Sequence, residues 1–251
     1  MPRVQKTVRK LAAVAFWLVV WAVASAGIAN DLILVSPLRV LERLGGLALT
    51  SDFWLTVAQS FARIVAGFVL GVSAAVAAAI AASRFGLLRE LLEPLVLTIK
   101  SIPVASFIVL ILIWVASANL AVIIAFLMVL PILYVNVLKG IQRTDPQLLE
   151  MADVFRISRL RRVRYIYLSQ VLPFFVSGCS VALGMAWKAG VAAEIIGLPD
   201  GSLGEMLYNA KLYLSTADIF AWTLVIILVS LVFEKLFMEL IRLCAKRLEQ
   251  I

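Results

Sequence analysis

The chain has 251 residues, of which 63% are hydrophobic and 15% charged, and its mean hydropathy is +1.05. Soluble domains are roughly 45–50% apolar and about a quarter charged, so this composition excludes a soluble globular protein and predicts an integral membrane protein. The formal net charge is +8. The basic residues lie at the ends of apolar runs, which is typical of membrane topology signals and not of a face that binds nucleic acid.

Residues that carry common enzyme chemistry are scarce. The sequence contains no His, which excludes Ser–His and His–metal mechanisms within these residues. It contains no G-x-x-x-x-G-K-[ST] motif, so no P-loop ATP site is predicted. Cys179 and Cys244 lie in apolar surroundings and are predicted to be separate buried thiols. We therefore expect no catalytic, metal or cofactor site in this chain, and no enzyme.

The first apolar run follows a basic N-terminal segment. Residues 1–10 carry four positive charges and no negative ones, and residues 11–29 are predicted to form the first span. The triplet Ala24-Ser25-Ala26 resembles a signal-peptidase site, so a cleaved leader is the alternative. Residues 30–52 mix polar and apolar positions and predict a short interfacial helix.

The second and third predicted spans differ in regularity. The second, at 53–83, is rich in Ala and Gly, which permits close helix packing and predicts a position inside the bundle. Arg63 near its start is predicted to be an interfacial anchor, with an internal carboxylate partner as the alternative. The third, at 90–114, is interrupted by Pro103, which should kink or end a helix at membrane depth.

Three further spans complete the predicted bundle. A short uncharged link at 116–119 predicts a tight hairpin between the third and fourth spans. An amphipathic segment at 203–213 precedes the last span. The three spans are predicted at 120–138, 169–192 and 219–240. Six spans of about 20 residues fit a bilayer core about 30 Å thick. The predicted fold class is therefore an all-α integral membrane protein with about six transmembrane helices, forming a single domain over residues 1–251.

The distribution of basic residues predicts the orientation. Sixteen of the 23 Lys and Arg residues fall in the segments before the first span, between the second and third, between the fourth and fifth, and after the sixth. Only Arg39, Arg43 and Lys211 fall in the segments that would lie on the other side. The positive-inside rule then predicts a multi-pass protein with both termini in the cytoplasm.

One polar stretch, residues 145–173, stands out on the predicted cytoplasmic side. Asp145 can cap a helix that begins at Pro146. Apolar residues recur along this helix at helical spacing: Leu148, Leu149, Ala152 and Phe155. Ser158 can begin a second short helix, whose arginines point away from its apolar stripe. The arginines could simply fix the topology. Two capped helices with their own apolar faces favour instead a docking element that carries motion from a cytoplasmic subunit into the spans.

Four residues near the predicted span ends and centres are candidates for the translocation path. Charges at membrane depth are costly and tend to line cavities. The predicted path residues are Lys100, Trp187, Lys188 and Glu194. Interfacial placement is the alternative for Lys100 and Glu194, and to a lesser degree for Lys188, and an interfacial aromatic belt is the alternative for Trp187.

Several segments resemble a known family. The sequence E-M-A-D-V-F-R-I-S at 150–158, followed by V-L-P at 171–173, resembles the E-A-A loop of bacterial ABC importer transmembrane subunits. The segments S-I-P-V-A-S-F-I-V-L-I-L-I-W and P-I-L-Y-V-N-V-L-K-G-I-Q-R-T-D-P are similar to the nitrate, sulfonate and taurine branch of that family, and Q-S-F-A-R-I-V-A-G-F-V-L-G also fits. The resemblance covers about residues 50–245 and implies a type I ABC importer-like fold with cytoplasmic coupling helices at 145–167.

The resemblance also implies a function and partners. It implies a permease in the bacterial inner membrane that forms the path for a small polar solute such as nitrate, a sulfonate, taurine or a vitamin precursor. The implied partners are cytoplasmic ATPase subunits that bind ATP and Mg²⁺, a second permease copy or paralogue, and an extracytoplasmic substrate-binding protein, with no nucleic acid. By this resemblance, the residues that dock the ATPase are Glu150, Ala152, Asp153, Phe155, Arg156 and Ser158.

Arg156 departs from the family pattern, which has glycine at this position of the loop. Since glycine would supply a positive φ there, we expect a different turn or an extra polar contact at Arg156. Two alternatives from other classes remain. An ion-coupled secondary transporter or channel would need carboxylates at mid-membrane depth, for which Glu234 is the nearest match. A membrane scaffold that transports nothing is the other.

Overall fold

The structure, a computed structural model, describes the backbone of residues 2–28 and 30–249 and the side chains of residues 8–9, 11–28 and 30–243. Within these residues, all regular secondary structure is helical. The helices are α1 (Pro2–Ile28), α2 (Pro37–Ala48), α3 (Ser51–Arg84), α4 (Gly86–Ser101), α5 (Val104–Leu112), α6 (Ser117–Gln142), α7 (Pro146–Val154), α8 (Arg159–Arg162), α9 (Leu168–Gly197), α10 (Leu203–Leu212) and α11 (Thr216–Glu249), with a π-helical turn at Val163–Tyr167. The prediction of an all-α fold is confirmed.

Four of the described helical stretches are long and apolar enough to cross a membrane, and the bent pair α4–α5 raises the number to as many as five. The four are Leu11–Ile28, Ser51–Arg84, Ser117–Gln142 and Arg159–Gly197. The predicted sixth span lies in α11, a helix of 34 residues that continues past the last described side chain. The count of six spans therefore stays a prediction.

The predicted break at Pro103 is confirmed. Helices α4 and α5 are bent by 102° relative to each other. Pro103 has no N–H to continue α4, and it favours an extended backbone at Ile102, whose φ and ψ are −80° and 131°. Helix α5 ends at Leu112 and α6 begins at Ser117, so the link between the third and fourth predicted spans is as short as predicted, but it lies at 113–116 and not at 116–119.

Helices α3, α6 and α9 form the centre of the bundle. A Cβ atom at Gly67 of α3 would lie 2.3 Å from the carbonyl oxygen of Val122 in α6, and a Cβ atom at Gly190 of α9 would lie 2.7 Å from Ile64 Cγ1 in α3. Small residues let these backbones approach, and in a membrane close packing of this kind holds helices together. The predicted position inside the bundle is therefore confirmed for one face of α3, while its opposite face is exposed on the single chain.

The remaining helices pack around this centre. Trp21 of α1 donates its indole N–H to the Val35 carbonyl oxygen at 3.0 Å and stacks on Phe220 of α11. Helix α2 is the short helix expected within residues 30–52, and its Arg43 pairs with Asp218 of α11. Cys179 is a buried free thiol as predicted. The matching prediction for Cys244 lies outside the described side chains.

Candidate functional site

The polar stretch after α6 folds back on itself as a hairpin whose first arm is α7. The Asp145 carboxylate accepts a hydrogen bond from the Gln147 N–H at 2.9 Å. Pro146 occupies the first position of the helix, where an N–H would have no partner within the helix, so the absence of this N–H costs no hydrogen bond. The cap predicted from the sequence is therefore confirmed.

The turn between the two arms of the hairpin is left-handed at Arg156, whose φ is 49°. The Arg156 N–H donates to the Asp153 carbonyl oxygen at 3.1 Å, and the Ile157 N–H donates to the Ala152 carbonyl oxygen at 2.9 Å. This pair of bonds is the Schellman arrangement that usually has glycine at the left-handed position. We expected a different turn or an extra polar contact at Arg156, and the prediction of a different turn was wrong. The two backbone bonds oppose a cost of about 1–2 kcal/mol for placing an arginine there.

The second arm of the hairpin begins after Ser158 as predicted, but it is not the separate short helix that we expected. Helix α8, the π-helical turn and α9 are continuous, so Arg159–Gly197 is one helical stretch of 39 residues. The residues between α8 and α9 include no glycine or proline that would end a helix, and the π turn accommodates them without a break. The Ser158 side chain makes no capping bond.

An ion pair closes the hairpin. Arg162 Nη2 of the second arm donates to Asp153 Oδ1 of the first arm at 2.6 Å. Asp153, predicted to contact an ATPase, thus already has a partner within the chain. The contact joins α7 to the start of the long helix.

The tip of the hairpin exposes large apolar side chains. Val154, Phe155 and Leu160 are 79%, 72% and 83% exposed, whereas Ala152 is fully buried. The apolar face predicted for α7 is therefore divided, because Ala152 points into the protein and Phe155 points away from it. The other predicted docking residues are exposed: Glu150, Asp153, Arg156 and Ser158. Clustered exposed apolar groups of this kind mark interaction surfaces, although docking itself stays a prediction.

A groove of about 420 Å³ lies where the second arm meets the bundle. Its walls come from the last turns of α3, the end of α6, the π turn and the start of α9. The lining residues are Val76, Ile80, Ser83, Arg84, Val137, Ile141, Val163, Tyr167, Leu168 and Val171. The groove places the second arm directly beside two central helices.

At the opposite end of α9, Glu194 is fully buried. Its carboxylate accepts hydrogen bonds from Ser60 Oγ at 2.8 Å and from the Gly204 N–H at 3.3 Å, and Arg63 Nη1 lies 3.7 Å from its Oε1 atom. Glu194 is therefore enclosed between α3, α9 and α10. The anchor role predicted for Arg63 was wrong, and the internal carboxylate partner that we gave as the alternative is present.

The four predicted path residues do not share one enclosed site. Trp187 is 2% exposed and packs near Phe61 and Phe233, with ring centroids 6.1 and 6.3 Å away. This burial excludes an interfacial belt position for Trp187. Lys100 and Lys188 are exposed on the single chain, in contrast to Trp187 and Glu194.

Sequence reasoning missed the residues that hold α10. Ser202 Oγ accepts a hydrogen bond from the Glu205 N–H at 3.0 Å, and the Glu205 carboxylate accepts one from the Gly201 N–H at 2.7 Å. The spacing S-x-x-E at 202–205 is a capping-box signal and could have located the start of this helix. Nothing in the sequence marks Ser60 as a partner of Glu194, because 134 residues separate them.

The comparisons with known proteins agree with this architecture. A family model described as "Binding-protein-dependent transport system inner membrane component" matches residues 67–250. The chain is 25% identical to the taurine transport system permease protein TauC of Escherichia coli (strain K12), over 85% of this chain and 80% of that protein. It is 32% identical to SsuC of the same strain, a permease protein named for aliphatic sulfonates transport, over 78% and 75% of the two chains. It is 24% identical to the nitrate import permease protein NrtB of Synechocystis sp., over 82% and 79%.

Proposed function

This chain belongs to the family of binding-protein-dependent transport system inner membrane components, and we propose that it docks cytoplasmic ATPases through its hairpin at 145–167 as the transmembrane subunit of an ATP-driven ABC importer. Its relatives are permease components, so it is a multi-pass transport component and not an enzyme. ATP and Mg²⁺ are bound by the ATPase chains, and an extracytoplasmic binding protein delivers the solute. A second permease copy completes the path.

The exposed tip of the hairpin is the observation that carries this proposal. Phe155 stands at the end of α7 with most of its ring free, next to the exposed Val154. The Schellman turn orders the backbone between the two arms before any partner binds, and the Asp153–Arg162 pair adds a smaller contribution. Because this backbone is already ordered and an aromatic side chain has few rotatable bonds, little freedom is lost on binding, which favours insertion of Phe155 into a cleft of the ATPase.

The second arm gives the hairpin a direct mechanical path into the membrane. Because α8, the π turn and α9 are continuous, a displacement of the hairpin displaces the long helix itself. Arg162 near one end and Glu194 near the other are 32 residues apart, or about 48 Å at the helical rise of 1.5 Å per residue. ATP-driven movement of the ATPases would thereby reach the far side of the bundle.

A small oxyanion of the nitrate, sulfonate or taurine kind is the solute that we propose. The relatives are named for taurine, aliphatic sulfonates and nitrate, all of which carry an anionic oxygen group. Lys188, exposed on α9, and Lys100, exposed at the end of α4, would supply positive charge to a path between two copies. An intramembrane cation with no partner in its own chain is costly unless it faces a wet cavity or an anion.

The proposed orientation places both termini and the hairpin in the cytoplasm. It is supported by the sixteen basic residues in the segments assigned to that side. The hairpin contributes Arg156, Arg159, Arg161, Arg162 and Arg164 to this number. An ATPase can bind the tip only in this orientation.

The test is co-purification of the ATPase with Phe155→Asp permease. The substitution places a charge where we propose an apolar contact, so we expect at least a tenfold loss of bound ATPase (about 1.4 kcal/mol or more). Tyr213→Asp is the matched control, since Tyr213 is 83% exposed beyond the end of α10 on the other side of the bundle and should retain the ATPase. Membrane insertion of both variants is checked by membrane fractionation. Normal ATPase binding and transport by Phe155→Asp would refute the docking role.

A further inference from the structure

Helix α10 is held at its N-terminus by side chains from two other helices. The Leu203 N–H donates to Ser60 Oγ of α3 at 2.8 Å, and the Gly204 N–H donates to the Glu194 carboxylate of α9 at 3.3 Å. The first N–H groups of a helix have no partner within the helix, and a carboxylate beside them interacts favourably with the helix dipole. Ser60 and Glu194 therefore cap α10 from outside its own segment.

The start of α10 is also pressed against both neighbours. A Cβ atom at Gly204 would lie 2.4 Å from the Glu194 backbone carbonyl carbon and from its Cβ atom. Gly201, just before the helix, has a φ of 65°, and a Cβ atom there would lie 2.5 Å from Gln59 Oε1 of α3. No side chain fits at Gly204, because the obstruction there is the backbone of α9. At Gly201 the Gln59 amide could move aside, and it is the positive φ that favours glycine. The approach of α10 to α9 is therefore fixed at Gly204.

Helix α10 does not need a buried carboxylate in order to form. Ser202 already caps the helix locally through the Glu205 N–H. Burying the charge of Glu194 carries a large desolvation penalty, which is only partly offset by Arg63 at 3.7 Å. What Glu194 adds to the local cap is a fixed connection between α10 and the central helices.

Arg63 extends the same connection to the loop before α10. Its Nη2 atom donates to the Asp200 carbonyl oxygen at 3.3 Å, while its Nη1 atom faces Glu194. Within the described side chains, Glu194 is the one ionisable group of the buried polar set, whose other members are Ser25, Thr56, Ser60, Thr144 and Ser202. We call Ser60, Arg63 and Glu194 the latch.

We infer that the latch holds α10 as a brace across α3, α9 and α11, and that this brace keeps the translocation path between two copies closed at the end of the bundle away from the ATPases. Leu203, at the start of α10, is fully buried and packs with Phe53, Trp222 and Val225, so α10 joins α3 to α11 at this end. Glu194 lies on the same continuous helical stretch as the second arm of the hairpin, so movement of that stretch moves the latch. This inference rests on the proposed function.

The experiment measures passive leak through the permease–ATPase complex in liposomes without ATP, with radiolabelled taurine and with nitrate as the probes. Glu194→Gln keeps the shape of the side chain and removes its charge. The double variant Arg63→Met with Glu194→Leu removes both charges together, a replacement that buried ion pairs often tolerate without loss of stability. The control is Arg39→Met with Asp31→Leu, because this ion pair lies at the protein surface and makes no contact with the latch.

We expect the double variant to assemble with the ATPase and to leak both probes about tenfold faster than the wild type, with a smaller increase for Glu194→Gln. Vesicles with the control variant should leak no faster than vesicles with the wild type. If the latch only stabilised the fold, a double variant as stable as the wild type would also leak no faster than the wild type. If both latch variants assemble and neither leaks, the inference is overturned. Failure of the wild-type permease to bind an ATPase at all would instead overturn the proposed function, so the two failures are distinguishable.

Discussion

At the hairpin end of the long helical stretch, Asp153 and Arg162 form an ion pair whose side chains are 70% and 24% exposed. At the other end, Glu194 is 0% exposed and contacts two other helices, α3 and α10. Water and salt reach the Asp153 carboxylate and screen the first pair, so it contributes little free energy. The second group is enclosed, so removing either partner leaves an uncompensated polar group. The polar groups at one end of the helix are thus open to water, whereas those at the other end join α9 to α3 and α10.

The largest effect that we expect comes from Glu194→Ala. The substitution leaves Arg63 without its carboxylate and the Gly204 N–H without an acceptor, so the free energy of unfolding should fall by about 3–5 kcal/mol. Denaturant unfolding of the purified protein in detergent micelles measures this loss. Asp153→Ala is the matched control at the exposed end and should cost less than about 1 kcal/mol. Equal losses for the two variants would contradict the comparison.

A smaller effect is expected from adding one methyl group at the buried end. Gly204→Ala places a Cβ atom against the Glu194 backbone and should lower the free energy of unfolding by about 1–3 kcal/mol. Gly184→Ala in α9 is the control, because a Cβ atom there meets nothing within 4 Å, and it should stabilise the helix by about 0.5–1 kcal/mol. Unfolding midpoints of the two variants should therefore shift in opposite directions, and a Gly204→Ala variant as stable as the wild type would show that α10 is not pressed on α9.

At the exposed end, Arg156→Gly should stabilise the hairpin by about 1 kcal/mol, because glycine adopts the left-handed conformation without strain. Hydrogen exchange of the hairpin amides measures the change. Arg161→Gly, an exposed arginine in the helical second arm, should have the opposite sign and cost about 1 kcal/mol. Faster exchange in Arg156→Gly than in the wild type would show that the arginine side chain itself holds the turn.

The smallest effect should come from Asp153→Asn, which removes the charge of the hairpin ion pair. We expect a change below about 1 kcal/mol in the stability of the hairpin, and a difference from the wild type that shrinks as salt is added. The same hydrogen-exchange measurement at low and high ionic strength tests this. An effect that is large and independent of salt would show that the hairpin pair is shielded from water like the pair at the other end.

Local chemistry made several features predictable. Pro103 follows the end of α4, and Asp145 followed by Pro146 begins α7, because both effects depend on the backbone groups of neighbouring residues. A proline alone was not decisive, since Pro94, Pro131 and Pro173 lie inside helices. The family resemblance likewise depended on the short loop motif at 150–158, and it is confirmed by the match over residues 67–250.

The direction in which a side chain points was harder to predict. Ala152 and Phe155 share a helical face in the sequence pattern, but Phe155 lies at the end of α7, where the chain has already begun to turn. The merging of the second arm into α9 was also missed, because periodicity alone does not show where one helix ends and a longer one begins.

The sequence by itself determined that this protein is a bundle of apolar helices with one polar hairpin, since composition, proline positions and basic residues act locally or through the solvent around each segment. Only the tertiary structure decided that Arg63 pairs with Glu194, that Ser60 caps α10, and that Arg156 takes the conformation of a glycine. These outcomes depend on contacts between residues far apart in the chain or on backbone bonds that only the assembled turn can make, and pairings of that kind leave no pattern in a single sequence.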